Sequence, residues 1–158
     1  MIFVTVGTHR QQFNRLIQKI DELVREGKIK EEVFIQKGNS TYIPEHCIHK
    51  SFLEPKEFQK KIKESSIIVT HGGAGAIISS LKEGKAVIVV PRLEKYGEHT
   101  NDHQIDLVRV LEKKGKVIGC FELNDLGEKI NIAKKFKPKK QEKTRIITAL
   151  NEFLREGN

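Results

Sequence analysis

The 158 residues predict one doubly wound α/β domain built on an open parallel sheet. Three observations carry that prediction. Short, nearly uninterrupted apolar runs such as IFVTV at residues 2–6 read as strands buried on both faces of a sheet. These runs alternate with segments whose apolar residues recur every three or four positions, as in helices that pack one face on a sheet. Residues 67–91, IIVTHGGAGAIISSLKEGKAVIVVP, form a complete strand, glycine turn, helix, strand unit. Such a crossover joins parallel strands and is almost always right-handed.

The elements follow in chain order. Gly7 ends the first strand; beyond GTHR, the residues Phe13, Leu16, Ile17, Ile20, Leu23 and Val24 lie on one helical stripe that Gly27 stops. VFIQKG at 33–38 reads as a second strand closed by glycine, and CIHKSFL at 47–53 as a third in a more exposed position. Pro55 suits the first turn of a short helix that carries Phe58 and Ile62 and ends near Ser65 and Ser66. After the strand–helix–strand unit, closed by Pro91, comes the polar loop RLEKYGEHTNDHQ. A helix from about Asp106, striped by Ile105, Val108 and Leu111, runs to Gly115, and KVIGCF supplies one more strand. Residues 124–138 are weakly patterned, and a last helix is expected at about 140–155.

Composition places the chain among soluble globular proteins: 37% hydrophobic, 32% charged, 6% aromatic. One domain spanning 1–158 is expected. The N-terminal apolar run is too short for a signal peptide and no run of about 18 apolar residues follows, so a cytoplasmic protein is expected. Cys47 and Cys120 have no CxxC spacing and read as reduced, buried thiols. Much of the +8 charge sits in KKFKPKKQEK at 134–143. That run reads as a solvated connection or as attraction to an anionic leaflet; nucleic acid is disfavoured, because no stacking aromatics accompany the lysines.

In an open parallel sheet, ligands bind outside the carboxyl ends of the strands, where turns bring backbone N–H groups close and helix N-termini favour anions. Two turns qualify: Gly7-Thr8-His9, and His71-Gly72-Gly73-Ala74-Gly75. The second either cradles a diphosphate or serves packing alone. It lacks the GxxxxGK[ST] spacing of an NTPase and the first-strand GxGxxG of a dehydrogenase. The loop Arg92, Glu98, His99, Asn101, Asp102, His103, Gln104 is dense in side chains suited to sugar hydroxyls, with Arg92 able to neutralise phosphate. One of Thr100, Asn101 and Asp102 is equally suited to cap the following helix. His99 and His103 stand four apart, but no third metal ligand is visible, so no metal site is expected.

VTVGT, THGGAGAI, VIVVPR and above all KYGEHTNDHQ together resemble the small subunit of bipartite family-28 glycosyltransferases, of the Alg13 type and its bacterial exopolysaccharide counterpart, PssE or EpsE. The resemblance implies a Rossmann-like domain equivalent to the C-terminal half of a GT-B enzyme. It implies a UDP-sugar donor, with UDP-GlcNAc or a related hexose expected, and a membrane-anchored, acceptor-binding partner of the Alg14 or PssD kind. Transfer to a lipid-linked or polysaccharide-precursor acceptor would invert the anomeric centre at the cytoplasmic membrane face, without cofactor or divalent metal. By similarity, Gly72 to Gly75 would hold the diphosphate, the segment near Phe52 and Leu53 would contact uracil, and Asn101 to Gln104 would meet the sugar or its phosphate. Gly7 and Thr8 would floor the cleft, and Arg92 with the helix dipole would stabilise departing UDP. Many relatives hold the ribose with a Glu at the position where this chain has Ser79, which is a departure. The catalytic base is expected on the partner, so His9 is not assigned that role. The alternative is a stand-alone nucleotide-binding or regulatory module without transferase activity; a lysine-bearing membrane scaffold is a further rival.

Overall fold

The computed structural model describes residues 1–137, 148 and 150–152. Six strands, β1 (Ile2–Thr5), β2 (Val33–Gln36), β3 (Ile48–Lys50), β4 (Ile67–Thr70), β5 (Ala86–Val89) and β6 (Ile118–Gly119), form one sheet in the order β3-β2-β1-β4-β5-β6. Every neighbouring pair is parallel. The order runs outward in both directions from the β1–β4 pair, so a cleft opens where the two halves diverge. Both strands leave that point in register, Thr5 opposite Thr70.

Strand side chains alternate between two cores. Ile2, Val4, Ile35, Val69 and Ile88 point to one face, covered by α1 (Asn14–Arg25) and α5 (Leu126–Ala133) through Leu16, Ile17, Ile20, Leu126 and Ile130. Phe3, Phe34, Ile68, Val87 and Val89 point to the other, covered by α2 (Pro55–Glu64), α3 (Ala74–Lys82) and α4 (His103–Lys113) through Ile62, Ile77, Leu107, Val108 and Leu111. Burial on both faces explains why the central strands are apolar runs rather than alternating ones. β3 is the edge strand, and its Ile48 and Lys50 are exposed as its alternation predicts.

Local chemistry sets the ends. Pro55 opens α2, where the Glu57 carboxylate accepts the N–H of Glu54 at 3.2 Å. At the start of α1, the Asn14 side chain accepts the N–H groups of Thr41 and Tyr42, and Ser40 Oγ accepts that of Phe13. Gly27 takes φ +70° beyond α1, a left-handed stop.

Three expectations need correcting. Residues 124–138 contain α5, whose stripe of Leu126, Ile130 and Ala133 is too short and too interrupted by Gly127 to stand out in sequence. α4 starts at His103, three residues before the expected Asp106, with Asp102 at its N-cap and the His103 N–H accepted by Asn101 Oδ1 at 3.0 Å. Cys47 is half-buried rather than buried; Cys120 is buried, and both are free thiols. The helix expected at about 140–155 lies almost wholly outside the described residues; Leu150 is buried in the second core. Among the described residues, no helix is long and apolar enough to cross a membrane.

Candidate functional site

Three apolar strands end in polar residues that stay buried: Thr5, Gln36 and Thr70. At β1 and β2 those residues build the cleft floor. Thr5 Oγ1 donates to Gln36 Oε1 at 3.1 Å and accepts the Gly7 N–H at 3.2 Å. The first turn is thereby pinned across the carboxyl edge of the sheet. Above it lies a cleft of about 580 Å³, walled by α2 on one side and the N-terminus of α3 on the other.

The glycine turn after β4 has a steric reason for its glycines. Gly7 has φ +73°, and a Cβ there would lie 2.5 Å from His71 Cε1; a Cβ on Gly73 would lie 2.2 Å from His71 Nε2. The His71 ring is therefore wedged between the two turns. Burial, with the Arg92 charge behind it, lowers the His71 pKa to about 4, so the ring is neutral at physiological pH. Gly73 is the N-cap of α3 and no side chain caps the helix. The N–H groups of Ala74, Gly75 and Ala76 precede the first intrahelical bond, and the Gly75 and Ala76 positions line the cleft. A row of free amides at the positive end of a helix is an anion site.

Of the residues predicted for the site, Gly7, Thr8, His9, Leu53, His71, Gly73, Gly75 and Ser79 meet around this cleft, and Ala74 contributes the helix start. Thr5, Gln36, Pro55, Phe58, Gln59 and Ala76 line it too and were not foreseen. For Thr5 and Gln36 the signal existed, a polar residue closing an apolar strand. Phe58 and Gln59 lay on a helix readable from sequence, but which helix face borders a cleft is fixed only by packing.

Most polar side chains of the loop 92–104 are taken by partners within the protein. Arg92 is 1% exposed. Its Nη1 donates to the carbonyls of Gln11, Gln12 and Glu98, its Nη2 donates to that of Val6, and its guanidinium stacks 5.0 Å from the Phe13 ring centroid. Burial pushes its pKa down to about 10. It clamps the first turn rather than meeting phosphate. Glu98, also 1% exposed, pairs with Arg15 at 2.8 Å and accepts the Leu93 N–H, so it is closed to a sugar. Asp102 Oδ1 accepts the Glu94 N–H and Asn101 Oδ1 accepts the His103 N–H. Gln104 Oε1 accepts the N–H groups of both Gly72 and Arg92, and its side chain covers Gly72. Gln104 thus latches the glycine turn to the end of β5, and the Gly72 amide is taken. His103 is exposed at the start of α4, and Phe52 is 46% exposed outside the cleft lining. A dense polar loop fails as a ligand signal here because an irregular connection, and the turns packed against it, must have their backbone groups satisfied.

His99 comes back to the site from this loop. Its ring stacks on His9 with centroids 5.1 Å apart and 22° between planes. Among the described residues, no group of three or more His, Cys, Asp and Glu side chains is placed to hold a metal ion.

The model of the glycosyltransferase family 28 C-terminal domain matches residues 1–155. The UDP-N-acetylglucosamine transferase subunit ALG13 of Homo sapiens is 32% identical over 133 residues, covering 75% of this chain and 11% of that protein. Its Mus musculus counterpart is 31% identical over 127 residues, covering 75% and 10%. The chain therefore spans about a tenth of the length of these relatives. Among solved structures, the glycotransferase of kitacinnamycin superposes with a TM-score of 0.60 at 16% identity, covering 98% of this chain and 39% of that one. An NMR structure of ALG13 gives 0.57 at 18% identity, covering 87% of each chain. At such identities these likenesses speak to the fold alone, that of the domain found in GT-B glycosyltransferases. The fold and the end-to-end match together identify this chain as a member of glycosyltransferase family 28, corresponding to its C-terminal domain and similar to the Alg13-type subunits.

Proposed function

We propose that this chain is the donor-binding subunit of a two-component inverting glycosyltransferase, holding a UDP-sugar, UDP-N-acetylglucosamine foremost, with its diphosphate on the amides of Ala74, Gly75 and Ala76. The observation that carries the reading is the uncapped N-terminus of α3 opening into the 580 Å³ cleft at the β1–β4 divergence. The human and mouse relatives, UDP-N-acetylglucosamine transferase subunits by name, support the choice of sugar. Leu53, Pro55 and Phe58 give the cleft an apolar wall of the kind that receives a flat pyrimidine.

In the reaction, an acceptor hydroxyl attacks the anomeric carbon from the face opposite the diphosphate. The bond from that carbon to the diphosphate oxygen breaks, and UDP leaves with the electron pair. The α3 amides and helix dipole are preorganised for the charge that develops on the leaving oxygen. The base and the acceptor site are assigned to a membrane-anchored partner subunit at the cytoplasmic face, an assignment supported by the subunit naming of the human and mouse relatives. Since amides perform the role of a charge-stabilising ion, donor binding is proposed to need no divalent metal.

Calorimetric titration of UDP and UDP-N-acetylglucosamine, with and without EDTA, tests this. Equal binding in both conditions, lost in Gly73→Val, is expected. Absence of binding, binding that Gly73→Val leaves intact, or a strict metal requirement sinks the corresponding part. Reconstitution with the partner separates a transferase subunit from a nucleotide-binding module without transfer.

A further inference from the structure

A cleft built to hold a diphosphate ought to offer positive charge, and this one has no fixed cation: neither Lys nor Arg is among its lining residues. Arg92 is held through its Nη atoms by four backbone carbonyls and Arg15 by Glu98 and the Pro91 carbonyl, while Arg10, exposed next to His9, is not on the lining. His71 is wedged between Gly7 and Gly73. His9 is the remaining nitrogen base on the lining. It is exposed, sits on the first turn across from the α3 amides, and is stacked on His99.

We propose that His9, backed by His99, is the cationic partner of the bound diphosphate, taking up one proton as the nucleotide-sugar enters and returning it to solvent when UDP leaves. This rests on the nucleotide reading of the cleft and goes beyond it by naming the group that charges and discharges. In the free protein, His9 Nδ1 accepts the Gln11 N–H at 3.3 Å and His99 Nδ1 accepts the Asn101 N–H at 3.4 Å. Each ring is thus the neutral tautomer with its hydrogen on Nε2, free to donate outward. The incoming proton goes to Nδ1 of His9, displacing only the long bond from Gln11.

The surroundings keep the pair neutral while the cleft is empty. Burial, Arg92, His99 and Arg10 all disfavour a charge on His9; burial, Arg92 and His103 disfavour one on His99, against Asp102, which favours it. His71 lies within electrostatic reach of both rings and is held neutral in its turn. A diphosphate diester brings two negative charges into this cluster and reverses the balance. The stacked His99 ring covers one face of His9 and holds its orientation.

The probe is UDP-N-acetylglucosamine, whose diphosphate does not itself titrate near neutrality. Binding enthalpy is measured on the whole chain in two buffers of different ionisation enthalpy, and the imidazole signals of His9 and His99 are followed by NMR at constant pH. Expected are net uptake of about half a proton at about pH 7, and affinity rising about threefold for each unit of pH lowered near there. His9 should show an imidazolium shift on binding. His9→Gln, which keeps a donor but cannot charge, should abolish uptake and weaken binding about tenfold. Binding with no proton uptake, or uptake that persists in His9→Gln, overturns the proposal alone. Failure of the wild-type chain to bind overturns the nucleotide reading and this proposal with it.

Discussion

Replacing Arg92 by Met separates two roles for one residue, because methionine keeps the length and apolar stem while removing every donor. Read from sequence, Arg92 meets phosphate; in the structure it holds the carbonyls of Val6, Gln11, Gln12 and Glu98 from a position 1% exposed. Arg92→Met leaves four carbonyls in a space too closed for water to serve them all. Each orphaned group costs about 1–3 kcal/mol, but the four relax together and are not additive, so breaking the cluster is set at about 3–5 kcal/mol. Glu98 limits the damage, since it keeps Arg15 at 2.8 Å. For a domain of this size, that loss lowers the melting midpoint by roughly 10–15 °C. Thermal unfolding by circular dichroism reads the midpoint, and titration with UDP well below it reads binding. The reasoning fails if the midpoint moves by less than about 2 °C; a hundredfold loss of UDP affinity in a fully stable protein would restore Arg92 as a phosphate ligand.

Other outcomes follow from the same geometry. Gly75→Ala meets nothing within 4 Å and should stabilise α3 by about 0.5–1 kcal/mol while its methyl, projecting into the cleft, weakens UDP binding; paired unfolding and titration experiments read the two opposite signs. Gln104→Ala strips the acceptor from the Gly72 and Arg92 N–H groups and should cost about 1–3 kcal/mol in urea unfolding. Asp21 has a pKa that burial would raise but that the N–H groups of Glu45 and His46 and the Tyr42 hydroxyl carry below its usual value. Its contribution is therefore full above the unfolded carboxylate value and is lost as pH falls through the folded one. Asp21→Asn should lower stability at neutral pH by about 1–3 kcal/mol and flatten its decline below about pH 5; an unchanged acid limb would show that Asp21 is not the group responsible.

How much of the site was legible depended on whether backbone or side chain made it. Gly7 and Gly73 stood out because a turn that must admit a wedged ring tolerates little else, and that demand is local. The loop from Arg92 to Gln104 misled for the opposite reason. Arg, Glu, Asn, Asp and Gln serve a ligand and an irregular backbone with the same donors and acceptors, and only the positions of Val6, Gln11, Leu93 and Glu94 show which partner each one took. Thr5 and Gln36 lay between these cases: polar ends on apolar strands, visible but without a stated partner until β1 and β2 were set side by side.

By itself, the sequence determined the order of strands and helices as far as β6, the parallel sheet and the glycine turn that marks its ligand-binding edge. Those features follow from periodicity and backbone freedom, which act over a few residues. Tertiary structure alone decided that Arg92 and Glu98 face inward, that α2 supplies a cleft wall through Phe58 and Gln59, and that His9 and His99, 90 positions apart, stack at the mouth of the cleft. Such pairings are settled by which buried groups find partners when distant segments close on one another, and no local pattern encodes that choice.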